Sequence, residues 1–167
     1  YEADDVIGSA AKLADLTGEI ETFILTGDRD SLQLISDRTN VLLAKTKEDI
    51  LFNRERFFEE YGITPEQFVD VKALMGDSSD NIPGVAGIGE KTALKLISAA
   101  GSLEALYEAP ESYAQKSTLE KIKNGKDSAF MSRKLAKIFC EVNIGDSSEV
   151  FAERHINVPE LIQLCKE

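Results

Sequence analysis

The chain has 167 residues, 43% of them hydrophobic and 29% charged, enough for one domain or a domain and a half around a shared core. No apolar run approaches the roughly 20 residues of a membrane helix and no signal peptide opens the sequence. Two distant cysteines, Cys140 and Cys165, fit packing in a reducing cytosol rather than a disulfide framework or a metal site. A net charge of −11 argues against a simple electrostatic hold on nucleic acid. That charge is unevenly spread, however, with carboxylates gathered in short motifs and lysines gathered between Lys116 and Lys137.

The chain opens without a methionine and without an N-cap before its first acids. Val6, Ile7, Ala10, Leu13 and Ala14 follow the spacing of a buried helical stripe, and Gly18 fits a C-cap. The helix thus starts at the terminus itself, which reads as an upstream segment removed. Glu21–Gly27 reads as a buried parallel strand, SLQLI as a short helix and Val41–Ala44 as a second strand after the polar turn SDRTN. Asp28 and Asp30 fall at the carboxyl end of the first strand, where open parallel sheets bind ligands.

From Asn53 onward the chain reads as nearly all helix. Asn53 caps a helix through Tyr61, and Thr64-Pro65-Glu66-Gln67 supplies a cap, a proline and a capping-box glutamine for the next. That helix points Phe68, Val71 and Leu74 inward and ends near Gly76. Ser102, Glu111 and Asp127 mark later helix starts, Lys137–Val142 reads as a returning strand, and Pro159–Lys166 as a terminal helix. Phe57, Phe58 and Tyr61 read as core, the lone His155 as a surface residue, and Arg133, Lys134 and Lys137 as a solvated face or a second phosphate track.

Three acidic motifs stand at the ends of these elements: Glu2, Asp4 and Asp5; Asp28 and Asp30; Asp77 and Asp80. Hard divalent ions take oxygen ligands, and a two-metal phosphodiesterase needs many carboxylates to offset its ions. Each motif alone reads more simply as a helix cap or a solvated turn than as a metal site. None has the spacing of an EF-hand. Their order along the chain, with acids on a helix, after a strand and before a glycine turn, favours metal.

The third motif leads directly into the glycine turn Gly84, Gly87, Ile88, Gly89, followed by Lys91, Thr92 and Lys95 on a helix. Glycines let backbone amides approach a phosphate, and a helix N-terminus favours an anion. The turn nearly matches a nucleotide-binding P-loop, but Glu90 stands where that pattern demands lysine, and no strand leads in. A helix–hairpin–helix that grips a nucleic-acid backbone fits better.

The segments YEADDVIG, ILTGDRDSLQLI and ALMGDSSDNIPGVAGIGEKTALKLI closely resemble the 5′ nuclease domains of bacterial DNA polymerase I type, within the flap endonuclease superfamily. The resemblance runs from Tyr1 to about Ile138. It implies an α/β fold: a truncated PIN-like (Rossmann-like) parallel sheet over 1–52, then a mainly helical SAM-fold region over 53–145. A helix–three-turn–helix would lie at 73–98, and 146–167 would begin a linker. It further implies Mg²⁺ (or Mn²⁺) held by Glu2, Asp4, Asp5, Asp28, Asp30, Asp77 and Asp80, with Asp28, Asp30 and Asp77 catalytic. The hairpin would contact DNA through Gly84, Gly87, Ile88, Gly89, Lys91, Thr92 and Lys95, and would hold K⁺ on the carbonyls of Pro83, Val85 and Ile88. The implied activity is two-metal 5′–3′ exonuclease or flap endonuclease cleavage of duplex DNA bearing a 5′ end or 5′ flap, in primer removal and repair. The implied setting is a bacterial cytoplasm, with a covalently linked polymerase domain and no membrane. The strands and basic arch with which the family begins have no counterpart, so weak metal and branched-DNA binding and poor cleavage are expected. The alternatives are a non-catalytic DNA-binding hairpin module and a stand-alone 5′–3′ exonuclease.

Overall fold

The computed structural model describes residues 1–46, 48–152 and 157–166. His155 lies outside the described residues.

Helix α1 (Ala3–Thr17) begins on a capping box, in which Glu2 receives the Asp5 N–H and Asp5 receives that of Glu2 at 3.1 Å. An N-cap is therefore present, contrary to the sequence expectation. Gly18 ends the helix at φ 70°. Strands β1 (Thr22–Thr26) and β2 (Thr39–Leu43) pair in parallel, Ile24 opposite Val41, and β3 (Ile50–Phe52) joins β2 antiparallel. The parallel pair follows the expectation, but β2 begins inside the predicted turn and β3 was not foreseen. Three residues are too few to show a period. Between β1 and β2 the chain makes a 3₁₀ turn, Arg29–Leu34.

One sheet face, with Ile24, Val41, Leu43 and Phe52, is buried, while Phe23, Leu25 and Leu51 of the opposite alternation are exposed. Helices α2 (Arg54–Tyr61), α3 (Phe68–Met75) and α4 (Glu90–Ala100) follow, then α5 (Leu103–Glu108), α6 (Pro110–Tyr113), α7 (Lys116–Asn124), α8 (Lys126–Ala136), α9 (Ser147–Val150) and α10 (Val158–Leu164). Ser102 caps α5 as expected, whereas α6 and α8 each start one residue before the predicted position.

Phe57, Tyr61 and Phe68 form an aromatic cluster, with Phe57 and Phe68 edge to face at 5.5 Å. It joins β3 and α2 to α3, each buried ring contributing about 1.5–3 kcal/mol by area. One hydrophobic cluster runs from Ala11 and Ile24 through Phe52 to Ala129, unbroken at 52/53. Phe58 is not part of it. At 57% exposed, it points away from the ring cluster.

Lys137–Val142 forms no strand. Its backbone N–H groups go instead to side chains: Ile138 to Gln33 Oε1 at 3.1 Å, Phe139 to Asp5 Oδ1 at 3.0 Å and Val142 to Ser9 Oγ at 2.9 Å. Asp5 and Ser9 strap the segment along α1, and Gln33 of the 3₁₀ turn holds its start. Cys140 is half-buried beside Gly8, while Cys165 is exposed and takes no part in packing.

Candidate metal and nucleic-acid site

Helix α3 is buried on nearly every side, including two charged residues, Asp70 and Lys72. Each must find a partner, because an unpaired buried charge is too costly. Asp70 Oδ2 accepts the Leu103 N–H at 2.9 Å and Oδ1 accepts from Arg133 Nη1 at 3.3 Å, so Arg133 is committed to an ion pair rather than to a phosphate track. The Lys72 ammonium donates to Asp30 and, at 2.7 Å, to Asp77 Oδ2.

Those contacts bring two of the acidic motifs together. Oxygens of Asp30, Asp77 and Asp80 lie within 4.8 Å of one another. Burial pushes the Asp30 carboxyl up, against the opposing pull of Lys72. Bonds from Lys72 and then Ser79 hold Asp77 far below the usual carboxylate range. Lys72 itself is pulled down by burial, but its bonds to Asp30 and Asp77 outweigh this and raise it. Asp4 of α1 joins the same wall: burial raises its carboxyl first, and the charges of Asp28, Asp30, Glu2 and Asp5 raise it further.

A cavity of about 600 Å³ is lined by Glu2, Asp4, Asp5, Asp28, Asp30 and Asp80, and also by Lys134 and Lys137. A second, of about 400 Å³, lies across Asp28 and Asp30 and reaches Lys72 and Asp77. All seven predicted acids thus line one cavity or the other, but they are not equivalent. Asp5 spends its oxygens on the N–H groups of Glu2 and Phe139, which lower its carboxyl. Asp28 caps the 3₁₀ turn through the Asp30 N–H at 2.9 Å, and Asp77 Oδ1 accepts from Ser79. The capping reading therefore holds for these three, alongside their place on the wall. Acid oxygens from the turn after β1 and the loop after α3, clustered this closely, suit a hard divalent cation.

The acidic loop is closed by a pair of glycines. The Asp77 N–H donates to the Ile82 carbonyl at 2.9 Å and the Ile82 N–H to the Asp77 carbonyl at 2.7 Å. A Cβ on Gly76 would lie 2.6 Å from the Ile82 oxygen, and one on Gly84 would overlap the Gly76 backbone. Gly84 is buried at φ 60°, its N–H donating to Ser132 Oγ at 2.9 Å and its carbonyl accepting from Ser128 Oγ at 2.6 Å. With both groups committed, Gly84 is a packing glycine and not the phosphate contact expected from sequence. The Ile88 side chain is likewise buried, 4% exposed.

Gly87, Gly89, Lys91 and Lys95 are exposed and Thr92 half-exposed, on or beside the start of α4. Among the described residues neither Lys91 nor Lys95 has an ion-pair partner, and both line a groove of about 580 Å³ facing Tyr113 and Gln115. Of the carbonyls expected to hold K⁺, that of Val85 accepts the Ile88 N–H at 3.0 Å. The neighbouring Gly87 carbonyl accepts from the Lys121 ammonium at 3.1 Å.

Sequence reading missed Lys72. Its signal was available, since Lys72 stands four residues after Phe68 and so shares the face of an inward side chain.

Residues 1–62 match the family model described as 5'-3' exonuclease, N-terminal resolvase-like domain, and residues 63–158 match 5'-3' exonuclease, C-terminal SAM fold. DNA polymerase I of Bacillus subtilis (strain 168) is 43% identical over 168 residues, covering 100% of this chain and 19% of that protein. The 5'-3' exonuclease of the same organism is 48% identical over 144 residues, covering 85% of this chain and 48% of that protein. The chain thus spans about a fifth of the polymerase and about half of the exonuclease. A T5 5'-exonuclease with divalent metal ions (zinc) bound superposes with a TM-score of 0.72 at 24% identity, over 83% of this chain and 50% of that one. A T5 flap endonuclease in a pseudo-enzyme-product complex with DNA and metal ions gives 0.69 at 21% identity, over 99% and 60%. The mixed α/β fold with a small sheet and a helical C-terminal region is the fold of these neighbours. The chain belongs to the 5'-3' exonuclease family.

Proposed function

We propose that this chain contributes the metal-holding wall and the duplex-gripping hairpin of a structure-specific 5′–3′ exonuclease or flap endonuclease acting on DNA. The observation that carries the reading is the convergence of Asp30, Asp77 and Asp80 oxygens within 4.8 Å, from loops far apart in sequence. Mg²⁺, for which Mn²⁺ substitutes, would be held by Asp30, Asp77 and Asp80 together with Asp4, Asp28 and Glu2, and supplies Lewis-acid stabilisation of charge at the phosphate. Asp5 would serve chiefly to hold Phe139 and the start of α1. The bonds of Lys72, Ser79 and the Asp30 N–H fix how the acids are presented to a scissile phosphate. The exposed amides of Gly87 and Gly89, with Lys91, Thr92 and Lys95, would hold the duplex backbone without reading bases. K⁺ at the hairpin would draw on the carbonyls of Pro83, Val85 and Ile88. The metal ions and DNA in the T5 neighbours and the polymerase relatives support this reading, in which a polymerase domain is the natural covalent partner.

The test is a calorimetric titration of Mn²⁺ into wild type, Asp30→Asn and Asp77→Asn, beside anisotropy of a labelled 5′-flap duplex with wild type and a Lys91→Ala, Lys95→Ala variant. Binding of Mn²⁺ by wild type, lost at least about tenfold in either Asn variant, is expected. Equal Mn²⁺ binding by all three proteins removes the metal assignment, and unchanged duplex affinity in the lysine variant removes the hairpin assignment.

A further inference from the structure

Lys72 is one of the two charged residues buried on α3, with its side chain 3% exposed. Its two ion-pair partners come from different places. Asp30 belongs to the turn after β1, and Asp77 follows α3. Asp80 completes the oxygen cluster, and among the described residues it has no cation of its own. The ammonium therefore sits between two of the three carboxylates, donating to both. Among the described residues it is the only cation paired with any acid of that cluster.

Three carboxylates at this spacing repel one another unless a positive charge lies among them. Such a charge is built into α3. A divalent ion arriving at the same oxygens meets it as a like charge a few ångströms away. The lysine side chain is almost wholly buried, in the wall of the cavity that Asp30 and Asp77 also line.

We propose that Lys72 is a positioning residue acting as a resident counter-ion. Without divalent metal it holds Asp30 and Asp77 at coordinating distance, and with metal bound it opposes the ion, keeping affinity low enough for exchange. This rests on the reading of the acidic wall as a divalent-ion site. The geometry separates Lys72 from a purely structural ion pair. A structural pair would stabilise the protein equally with and without metal, whereas a counter-ion that competes with metal matters most in its absence.

The test compares wild type with Lys72→Met, which keeps the stem and removes the charge, and Lys72→Arg, which keeps the charge. Thermal unfolding in EDTA and in saturating Mn²⁺, and calorimetric Mn²⁺ titration, are the readouts, and none requires turnover. Lys72→Met should bind Mn²⁺ about tenfold or more tightly than wild type, following removal of a like charge. Its melting temperature should fall clearly in EDTA and recover most of the difference in Mn²⁺. Lys72→Arg should stay near wild type in affinity. If Lys72→Met is unfolded in EDTA, Mn²⁺ should restore its native circular dichroism, and failure to do so overturns the proposal. Equal or weaker Mn²⁺ binding by folded Lys72→Met, or the same thermal deficit with and without metal, also overturns it while leaving the metal reading intact. Absence of Mn²⁺ binding in wild type removes the metal reading and this inference together.

Discussion

Arg29 donates from Nη2 to Glu90 Oε1 at 2.7 Å, tying the turn that carries Asp28 and Asp30 to the first residue of α4. The same guanidinium bonds the Tyr61 hydroxyl at 3.3 Å and lies over its ring at 5.9 Å. Glu90 is the residue that breaks the P-loop pattern, and its role is now concrete. It links the acidic wall to the hairpin helix, at the helix end where a carboxylate is favoured.

Both side chains of that pair are more than two-fifths exposed, so water screens it. Arg29→Ala and Glu90→Ala should each lower stability by less than about 1 kcal/mol in urea denaturation, with a coupling of about 0.2–1 kcal/mol in the double-mutant cycle. A single-variant loss above about 2 kcal/mol would mean that the pair carries more of the fold than its exposure allows.

Gly84→Ala should be severe. The new methyl overlaps the Gly76 backbone, and the φ of 60° strains any L side chain, for a combined loss of about 2–4 kcal/mol. Gly89→Ala, with negative φ and open space around its Cβ, should cost less than about 1 kcal/mol. Thermal unfolding of the two variants side by side checks the contrast, and equal losses would remove the packing role assigned to Gly84.

Ser132 is fully buried and its Oγ receives the Gly84 N–H. Ser132→Ala strands that donor away from water and should cost about 1–3 kcal/mol. Ser128 is only half-buried, so water can take the place of its hydroxyl at the Gly84 carbonyl, and Ser128→Ala should cost about 1 kcal/mol. Urea midpoints report both, and the reverse ranking would contradict the geometry.

Burial raises the Asp70 carboxyl above 3.8, against the Leu103 N–H and Arg133. A raised acid keeps its proton longer in the folded than in the unfolded protein, so its ionisation works against the fold. Its contribution to stability is therefore most favourable below pH 3.8 and declines as pH rises from there through the raised folded value, levelling off above it. Asp70→Asn still accepts from Leu103 but does not titrate. The difference in unfolding free energy between the two proteins should shift in favour of the Asn variant across that window, as followed by urea denaturation at stepped pH. A difference independent of pH there would remove the assignment.

Local features were legible because their causes are local. Gly18 ends α1, Asn53 and Ser102 cap their helices, and the Thr64–Gln67 capping box forms as predicted. The Glu21–Gly27 run became β1 because β-branched and aromatic residues suit a pleated surface. Lys137–Val142 shows the opposite case. Its apolar character matched a strand, yet Gln33, Asp5 and Ser9 took its backbone donors. Phe58 and Phe57 are adjacent aromatics with opposite fates, decided by which side of α2 meets Phe68.

The sequence by itself determined the first helix, the parallel strand pair, the caps, and the placing of acids at element ends, since these follow from spacing and backbone chemistry within a few residues. Only the tertiary structure decided which of those acids meet. Asp30 and Asp77 are 47 positions apart in the chain and come together because α3 packs beside the β1 turn with Lys72 between them. It also turned Gly84 inward, since Ser128 and Ser132 of α8 reach its backbone before any ligand could. Contacts between distant segments depend on how the whole core closes, and no local pattern records that.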